Sequence, residues 1–194
     1  MEHEGTTAVA YARRLYDDVL GWYVNADTKA QVVLTIDGAF LAFITSAIFG
    51  KPDDLKDLVE RFSPLTWSLL TSMTACLIGS IVSALNCLRS RIYTSAELAA
   101  LIGQPEDGGS YPPERMWFFQ FVGALNDVRF LSTLRHVDAG FEIEAMAAQA
   151  QLLSRNVHEK HRAVNRGFVL GGATLVLFFL AGLSYMAGVI YTSG

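Results

Sequence analysis

A stretch of 25 residues near the end of the chain, residues 167–191, contains no ionisable side chain other than two tyrosines. An α-helix rises about 1.5 Å per residue, so about 20 apolar residues cross a hydrocarbon core of roughly 30 Å. The stretch begins directly after Arg166 and ends at a short polar tail. It predicts a membrane-spanning helix, and the rest of the chain must be interpreted as part of a membrane protein.

Two earlier stretches, residues 31–50 and 65–88, are also long and apolar enough to span a membrane. The first contains Asp37, and a carboxylate at the centre of a span costs about 2.5–3.5 kcal/mol. We therefore expect Asp37 to face protein or water. The alternative is a position near the headgroups, from which its side chain would reach the aqueous phase.

Small residues recur at helical spacing in these two stretches, which is typical of membrane helices that pack closely. They offer more packing surface than one bundle of three helices can use, so we expect a homo-oligomer. The small residues are Gly38, Ala42 and Ser46 in the first stretch and Gly79, Ser80, Ser83 and Ala84 in the second.

The remaining segments are more polar and also helical in pattern. Residues 1–30 predict an amphipathic helix from Ala8 to Tyr23, and residues 51–64 form a hydrophilic connector. Residues 89–166 predict a short helix that Ser95 caps, and then a long helical region that divides near Ala139-Gly140 and continues into the last span. The predicted fold class is an all-α integral membrane protein with three transmembrane helices, at residues 31–50, 65–88 and 167–191.

The distribution of basic residues orients this topology. Residues 1–30 and 89–166 hold twelve lysines and arginines, whereas residues 51–64 hold three. Basic segments stay in the cytoplasm by the positive-inside rule. We expect the N-terminus and the helical region between the second and third spans to be cytoplasmic and the C-terminus to lie outside.

Several function classes are disfavoured. The net charge of −4 is unsuited to a nucleic-acid polymer as partner. His158 and His161 are three residues apart on one helical face, but no cysteine or carboxylate shares that face, so we predict no metal and no cofactor. No catalytic residue is predicted, because no nucleophile elbow or phosphate-binding glycine loop is present, and we expect no enzyme.

Two segments remain distinctive, one at the entry to the first span and one before the last. They resemble the transmembrane effectors of Pycsar, bacterial anti-phage systems that signal with cyclic pyrimidine mononucleotides. His161 departs from the resemblance, since an aromatic residue is expected there. The first segment matches at Ala26, Asp27, Lys29, Ala30, Asp37 and Gly38. The second matches at Gln149, Ser154 and Lys160, with Arg155 and Arg162 beside them, after an aromatic pair at Phe118-Phe119.

The resemblance implies an effector in the bacterial inner membrane that binds cyclic UMP or cyclic CMP, made by a partner cyclase. Binding would impair membrane integrity and cause growth arrest or cell death. A phosphate requires a cationic group, and a pyrimidine favours aromatic stacking and hydrogen bonds. The groups available for such a ligand are Arg155, Asn156, Lys160, Phe118 and Phe119.

Other interpretations stay open. The chain could form an oligomeric ion channel or holin-like pore that needs no ligand, or it could be a membrane scaffold subunit. The basic residues before the last span could simply hold the helix end at the headgroups.

We expect Asp27 to pair with a base from residues 155–166. The alternative is that Asp27 supplies charge at a helix start and Lys29 anchors it at the interface.

Overall fold

The computed structural model describes residues 2–50, 58–89, 94, 96–98 and 110–193, and within those ranges it contains helices and no strand. Five α-helices have defined bounds: α1 is Glu2–Gly50, α2 is Pro64–Leu88, α3 is Phe119–Val122, α4 is Asp127–Leu134 and α5 is Ala139–Ser193. A single 3-10 turn, Pro113–Arg115, precedes α3. The all-α prediction is confirmed.

Three of these helices are long and apolar enough to cross a membrane. The segments concerned are Thr7–Gly50 in α1, Pro64–Leu88 in α2 and Ala139–Ile190 in α5. Large apolar side chains on them are exposed, including Val169, Phe179 and Ile190. A water-soluble surface rarely carries so much contiguous apolar area, whereas a lipid-facing surface requires it. The chain is therefore an all-α membrane protein with three helices able to span the bilayer, as predicted.

Helix α1 joins two segments that the sequence predicted separately. The amphipathic helix at its start and the first span form one helix of 49 residues. The residues between them, 24–30, contain neither proline nor glycine, so nothing in this part of the chain interrupts the backbone hydrogen bonds.

The region after Pro113 differs from its prediction. The part of the expected long helical region that precedes Ala139-Gly140 is instead a 3-10 turn and two short helices. The cause is local, because the Asn126 side chain accepts hydrogen bonds from the backbone N–H groups of Val128 and Arg129 and starts a new helix there. The predicted division near Ala139-Gly140 is confirmed. The Asp138 carboxylate accepts a hydrogen bond from the Phe141 N–H, and α5 then runs unbroken to Ser193.

Capping side chains also mark the start of α2 and of the helical residues after Thr94. Ser63 accepts a hydrogen bond from the Thr66 N–H, and Pro64 occupies the first turn of α2. Thr94 and Glu97 form a capping box, in which the backbone N–H and then the hydroxyl of Thr94 lower the pKa of the Glu97 carboxyl. The predicted cap, Ser95, and most of the short helix after it lie outside the described residues, as does the first half of the 51–64 connector, residues 51–57.

The chain divides into two compact units, which we name and describe separately. The polar unit comprises Met1–Asn25 and Ser90–His158, and the membrane unit comprises Ala26–Arg89 and Glu159–Gly194. In the membrane unit, α1, α2 and α5 meet at a core of small and β-branched residues. Its buried members are Ala26, Ala30, Val33, Ala84, Cys87 and Val164.

The polar unit is held by hydrogen bonds around a buried tyrosine. The Tyr111 N–H donates to the Thr133 hydroxyl at 3.0 Å, and the Tyr111 hydroxyl accepts from the Asn126 N–H at 3.1 Å. Tyr111 and Thr133 are both buried. These two hydrogen bonds connect the segment before α3 with both ends of α4. Two further contacts join α1 to this unit: Arg13 pairs with Glu142, and Tyr16 packs edge-on against Trp117.

Removing the Tyr111 hydroxyl should loosen the start of α4. The Tyr111→Phe substitution leaves the Asn126 N–H without its acceptor, a loss of about 0.5–1.5 kcal/mol. We expect amide hydrogen exchange at Asn126 to rise by about 2- to 12-fold, measured by hydrogen–deuterium exchange in detergent. Tyr16→Phe is the matched control and should leave the Asn126 rate unchanged. Equal rates in Tyr111→Phe and the parent would contradict this role.

Candidate functional site

The residues that the sequence placed in one motif occupy two faces of α5. At 100° per residue, Gln149, Asn156 and Lys160 fall within about 40° of one another, whereas Arg155 and Arg162 lie about 20° apart on another face. Burial follows this division. Gln149 and Lys160 are buried and Asn156 is half-buried, while Ser154, Arg155 and Arg162 are exposed.

Lys160 forms an ion pair with Asp27 inside the membrane unit. Its Nζ lies 2.5 Å from the Asp27 Oδ1, and the two side chains are 10% and 29% exposed. This confirms the prediction that Asp27 pairs with a base from residues 155–166. Lys29, two residues further along α1, is half-buried. The pair lies one turn from the core residues Ala30 and Val164, so a charge-assisted hydrogen bond joins α1 and α5 where they pack.

This geometry gives Lys160 a partner within the protein. Its ammonium already has a carboxylate partner and is largely withdrawn from water, so it is poorly placed to meet a soluble phosphate. Arg155 is different, because its guanidinium is exposed. Among the cations that the sequence proposed for a ligand, the structure leaves Arg155 accessible and places Lys160 in packing between helices.

Breaking the Asp27–Lys160 pair should destabilise the membrane unit. Asp27→Ala and Lys160→Ala should each cost about 1–3 kcal/mol, because each leaves a partly buried charge without its partner. The double variant should cost clearly less than the sum. The measurement is thermal unfolding in detergent. Arg162→Ala, which truncates an exposed arginine of α5, is the control and should change stability by less than about 0.5 kcal/mol. Additive costs would show that the two side chains do not interact.

A second polar contact lies within the apolar layer, at Asp37. Its side chain is 3% exposed, and its Oδ2 lies 2.6 Å from the Ser80 hydroxyl. Ser80 Oγ is also 2.9 Å from the backbone carbonyl oxygen of Gly167. Residues from α1, α2 and α5 thus meet at one hydroxyl group. Asp37 faces protein, as the sequence predicted, and its side chain does not extend into the aqueous phase.

Two glycines of α5 lie against this contact. A Cβ atom at Gly171 would lie 3.3 Å from Ser80 Oγ and 3.4 Å from Asp37 Oδ1. A Cβ at Gly167 would lie 3.4 Å from the Val33 side chain and 3.5 Å from the Ser80 carbonyl oxygen. Glycine at these two positions lets α5 approach both neighbouring helices closely, as small residues four apart do in many membrane bundles.

A side chain at Gly171 should therefore disrupt the bundle. Gly171→Leu would place a branched side chain against Asp37 and Ser80, and overpacking of this kind costs about 1–3 kcal/mol or more. Gly172→Leu is a matched control on the next residue, where a Cβ would meet nothing within 4 Å. We expect Gly171→Leu to lower the unfolding temperature in detergent and Gly172→Leu to leave it near that of the parent. The reverse order would disprove the packing.

The aromatic pair of the sequence motif belongs to a small cluster in the polar unit. Phe118 contacts Phe119 and Phe121, with ring centroids 4.8 Å and 5.5 Å apart. Phe118 is half-buried, whereas Phe119 is 68% exposed and presents its ring to solvent. An exposed aromatic face of this kind is suited to stacking with a planar base.

Sequence reasoning found Asp37 but missed its partners. It named Ser80 only as a small packing residue and did not select Gly167 or Gly171. The signal was present, because Gly167 and Gly171 are four residues apart, as are Ser80 and Ala84. The other predicted stripe, Gly38, Ala42 and Ser46, is exposed and is not covered by any described residue. Across the described ranges, no group of three or more His, Cys, Asp or Glu residues could hold a metal ion.

An all-α membrane protein with an intramembrane carboxylate and a separate polar unit is a broad class, and comparison with known families narrows it. Residues 11–188 match the family model described as the Pycsar effector protein domain. The chain therefore belongs to the Pycsar effector family, and it is an effector of bacterial anti-phage defence. No significant match was found among curated proteins or among solved structures.

Proposed function

We propose that this chain binds a cyclic pyrimidine mononucleotide, cyclic UMP or cyclic CMP, and responds by impairing the bacterial inner membrane. The observation that carries the proposal is the family match over residues 11–188, which covers all three apolar helices and nearly all of the polar unit. Pycsar effectors act with a cyclase that makes the nucleotide. We propose that the chain itself has no enzymatic activity, and that membrane damage leads to growth arrest or cell death.

The ligand groups that we propose lie in the polar unit. Arg155 offers an exposed guanidinium for one phosphate charge, and Phe119 offers an exposed ring for the pyrimidine. Phe118 supports that ring, and the half-buried Asn156 is the amide that we propose for a hydrogen bond to the edge of the base. Lys160 acts through its pair with Asp27 and not as a phosphate ligand.

The orientation follows from charge. Twelve of the fifteen lysines and arginines lie in residues 1–30 and 89–166. The positive-inside rule then favours a cytoplasmic polar unit, where a cyclase product would be available, and a C-terminus outside the cell.

The response requires a connection between ligand and lipid. Arg155 and the apolar residues from Gly167 onward belong to one unbroken helix, α5. A ligand shifts a conformational equilibrium only by its difference in affinity for the two states. A difference of about 3 kcal/mol moves the populations more than a hundredfold, and charge-assisted bonds to Arg155 could supply it. Self-association would extend the change over several copies, and the exposed stripe Gly38, Ala42 and Ser46 favours close contact between copies.

The proposal is tested first by binding. Purified protein in detergent is titrated with cyclic UMP and cyclic CMP, with cyclic AMP and cyclic GMP as purine controls. Arg155→Ala should weaken binding by about 10- to 150-fold, the loss of one charge-assisted contact. Arg14→Ala removes another exposed arginine of the polar unit and should bind as the parent does. Binding of none of the four nucleotides would favour a pore that needs no ligand.

A second measurement separates ligand contact from packing. Each variant is expressed with a pyrimidine cyclase, and membrane potential and protein level are recorded. Arg155→Ala should abolish depolarisation at normal protein level. Asp27→Ala and Lys160→Ala should share one phenotype, because both break the same pair. If Lys160→Ala alone lost nucleotide binding, Lys160 would be a direct ligand contact.

A further inference from the structure

Helix α4 presents an apolar face that no described part of the chain covers. Val128, Leu131 and Leu134 are 75%, 55% and 48% exposed. The opposite side of the helix is packed, because Thr133 is buried and binds Tyr111. The exposure therefore belongs to one side of a well-anchored helix, and it is not a sign of a loosely held segment.

The exposed face has an internal symmetry. Taking Leu131 as centre, at 100° per residue, Val128 and Leu134 lie about 60° to either side. Asp127 and Arg135 lie about 40° to either side, and Arg135 keeps helical backbone angles at the C-cap. Both charged side chains are exposed. We call these five residues the α4 stripe: Asp127, Val128, Leu131, Leu134 and Arg135.

We propose that the α4 stripe binds a second copy of this chain, with the two α4 helices antiparallel about a two-fold axis at Leu131. A two-fold interface requires a self-complementary surface. Antiparallel pairing puts Leu131 opposite its own counterpart and Val128 opposite Leu134 of the second copy. It also puts Asp127 of each copy opposite Arg135 of the other, so two ion pairs related by the two-fold axis connect the two chains. In each of these pairs, one residue precedes Leu131 by as many positions as the other follows it, which is the register that an antiparallel pair requires.

Charge favours a second copy over a lipid surface as the occupant. Helices that lie on membranes carry excess lysine and arginine beside their apolar face. The stripe instead carries one acid and one base, so it offers no net attraction to anionic headgroups. Self-pairing satisfies both charges and covers the three apolar side chains together.

The contact is small and depends on other contacts between copies. An eight-residue helix is about 12 Å long, and its face is well below the roughly 800 Å² per partner of a stable interface. It therefore adds to an association of copies already confined to one membrane, where their effective concentration is high. The inference rests on the proposed self-association, but it does not rest on the proposed nucleotide.

Disulfide cross-linking tests the two-fold axis. Helices in contact lie about 8–10 Å apart and their Cα atoms about 2.3 Å from each axis, so facing Cα atoms at the dyad would be about 4–5 Å apart. That is close to the separation a disulfide needs. Leu131→Cys in native membranes, treated with an oxidant and no nucleotide, should give a covalent dimer at least about fivefold above the parent, which retains Cys76 and Cys87. Ser132→Cys, about 100° around the helix, is the matched control and should stay at the parent level.

The ion pairs provide a sharper test. In the Leu131→Cys background, Asp127→Arg and Arg135→Asp should each lower dimer yield about threefold or more, because attractive pairs become repulsive. Co-expressing the two variants with different tags should restore a mixed dimer, since both cross-pairs are then opposite in charge. A folding defect could not be rescued by mixing.

Three results would overturn the interface. One is a Leu131→Cys dimer no more abundant than that of Ser132→Cys, and another is mixing that fails to restore the cross-link. The third is a Leu131→Cys thiol that forms no dimer and is also shielded from a water-soluble maleimide, which would assign the stripe to lipid. Measuring the native mass of the protein in detergent distinguishes failure of the α4 interface from failure of the proposed self-association. Oligomers without the cross-link would reject the α4 contact and keep the self-association.

Discussion

The close approach of α5 to α1 and α2 is the constraint on which the membrane unit depends. In lipid, apolar side chains gain little by leaving one apolar environment for another, so van der Waals packing and polar contacts must hold the helices together. Gly167 and Gly171 lie close to both neighbouring helices: a Cβ would lie 3.3 Å from Ser80 Oγ at Gly171 and 3.4 Å from the Val33 side chain at Gly167, so a side chain larger than a methyl group would have to displace these neighbours. Gly171 lies directly against the hydrogen bond between Asp37 and Ser80, so a bulky side chain there would press on both residues.

Two polar contacts stabilise this packing in different ways. Asp37 is fully enclosed, so its contact with Ser80 compensates for a carboxylate that lipid would not tolerate. Asp27 keeps partial access to water, and its pair with Lys160 resembles the anchoring contacts expected near a membrane boundary. Both involve α1, and each brings in another helix. A motion of α5 in response to ligand must therefore strain or rearrange the Asp27–Lys160 contact, the packing at Gly167 and Gly171, or both.

The sequence predicted the features that can be recognised within a single segment or from the order of segments along the chain. Spans were evident because a soluble helix rarely sustains an apolar run of that length, and the Asp27 pair followed from topology, since only one basic segment lies near the start of α1. The sequence analysis missed the break before α4, where a side chain competes with the backbone for hydrogen bonds. The Asn126 side chain accepts from two backbone N–H groups and starts a new helix, whereas apolar periodicity alone predicted a continuous one. The sequence named Lys160 as a candidate ligand group and also as one of several possible partners of Asp27, and only the structure shows that Lys160 is the base that pairs with Asp27.

The enclosed carboxylate also has a consequence for how the protein is made. Asp37 leaves the ribosome 43 residues before Ser80 and 134 residues before Gly171. At about 5–20 residues per second, several seconds pass before its hydrogen-bond partner exists, and longer before α5 can enclose both. A carboxylate at the bilayer centre costs about 2.5–3.5 kcal/mol, so during that interval an unpaired Asp37 adds up to about that cost to insertion of the first apolar segment. Its stable insertion is thus completed by helices synthesised later, and a chain truncated before α5 would leave Asp37 exposed to lipid.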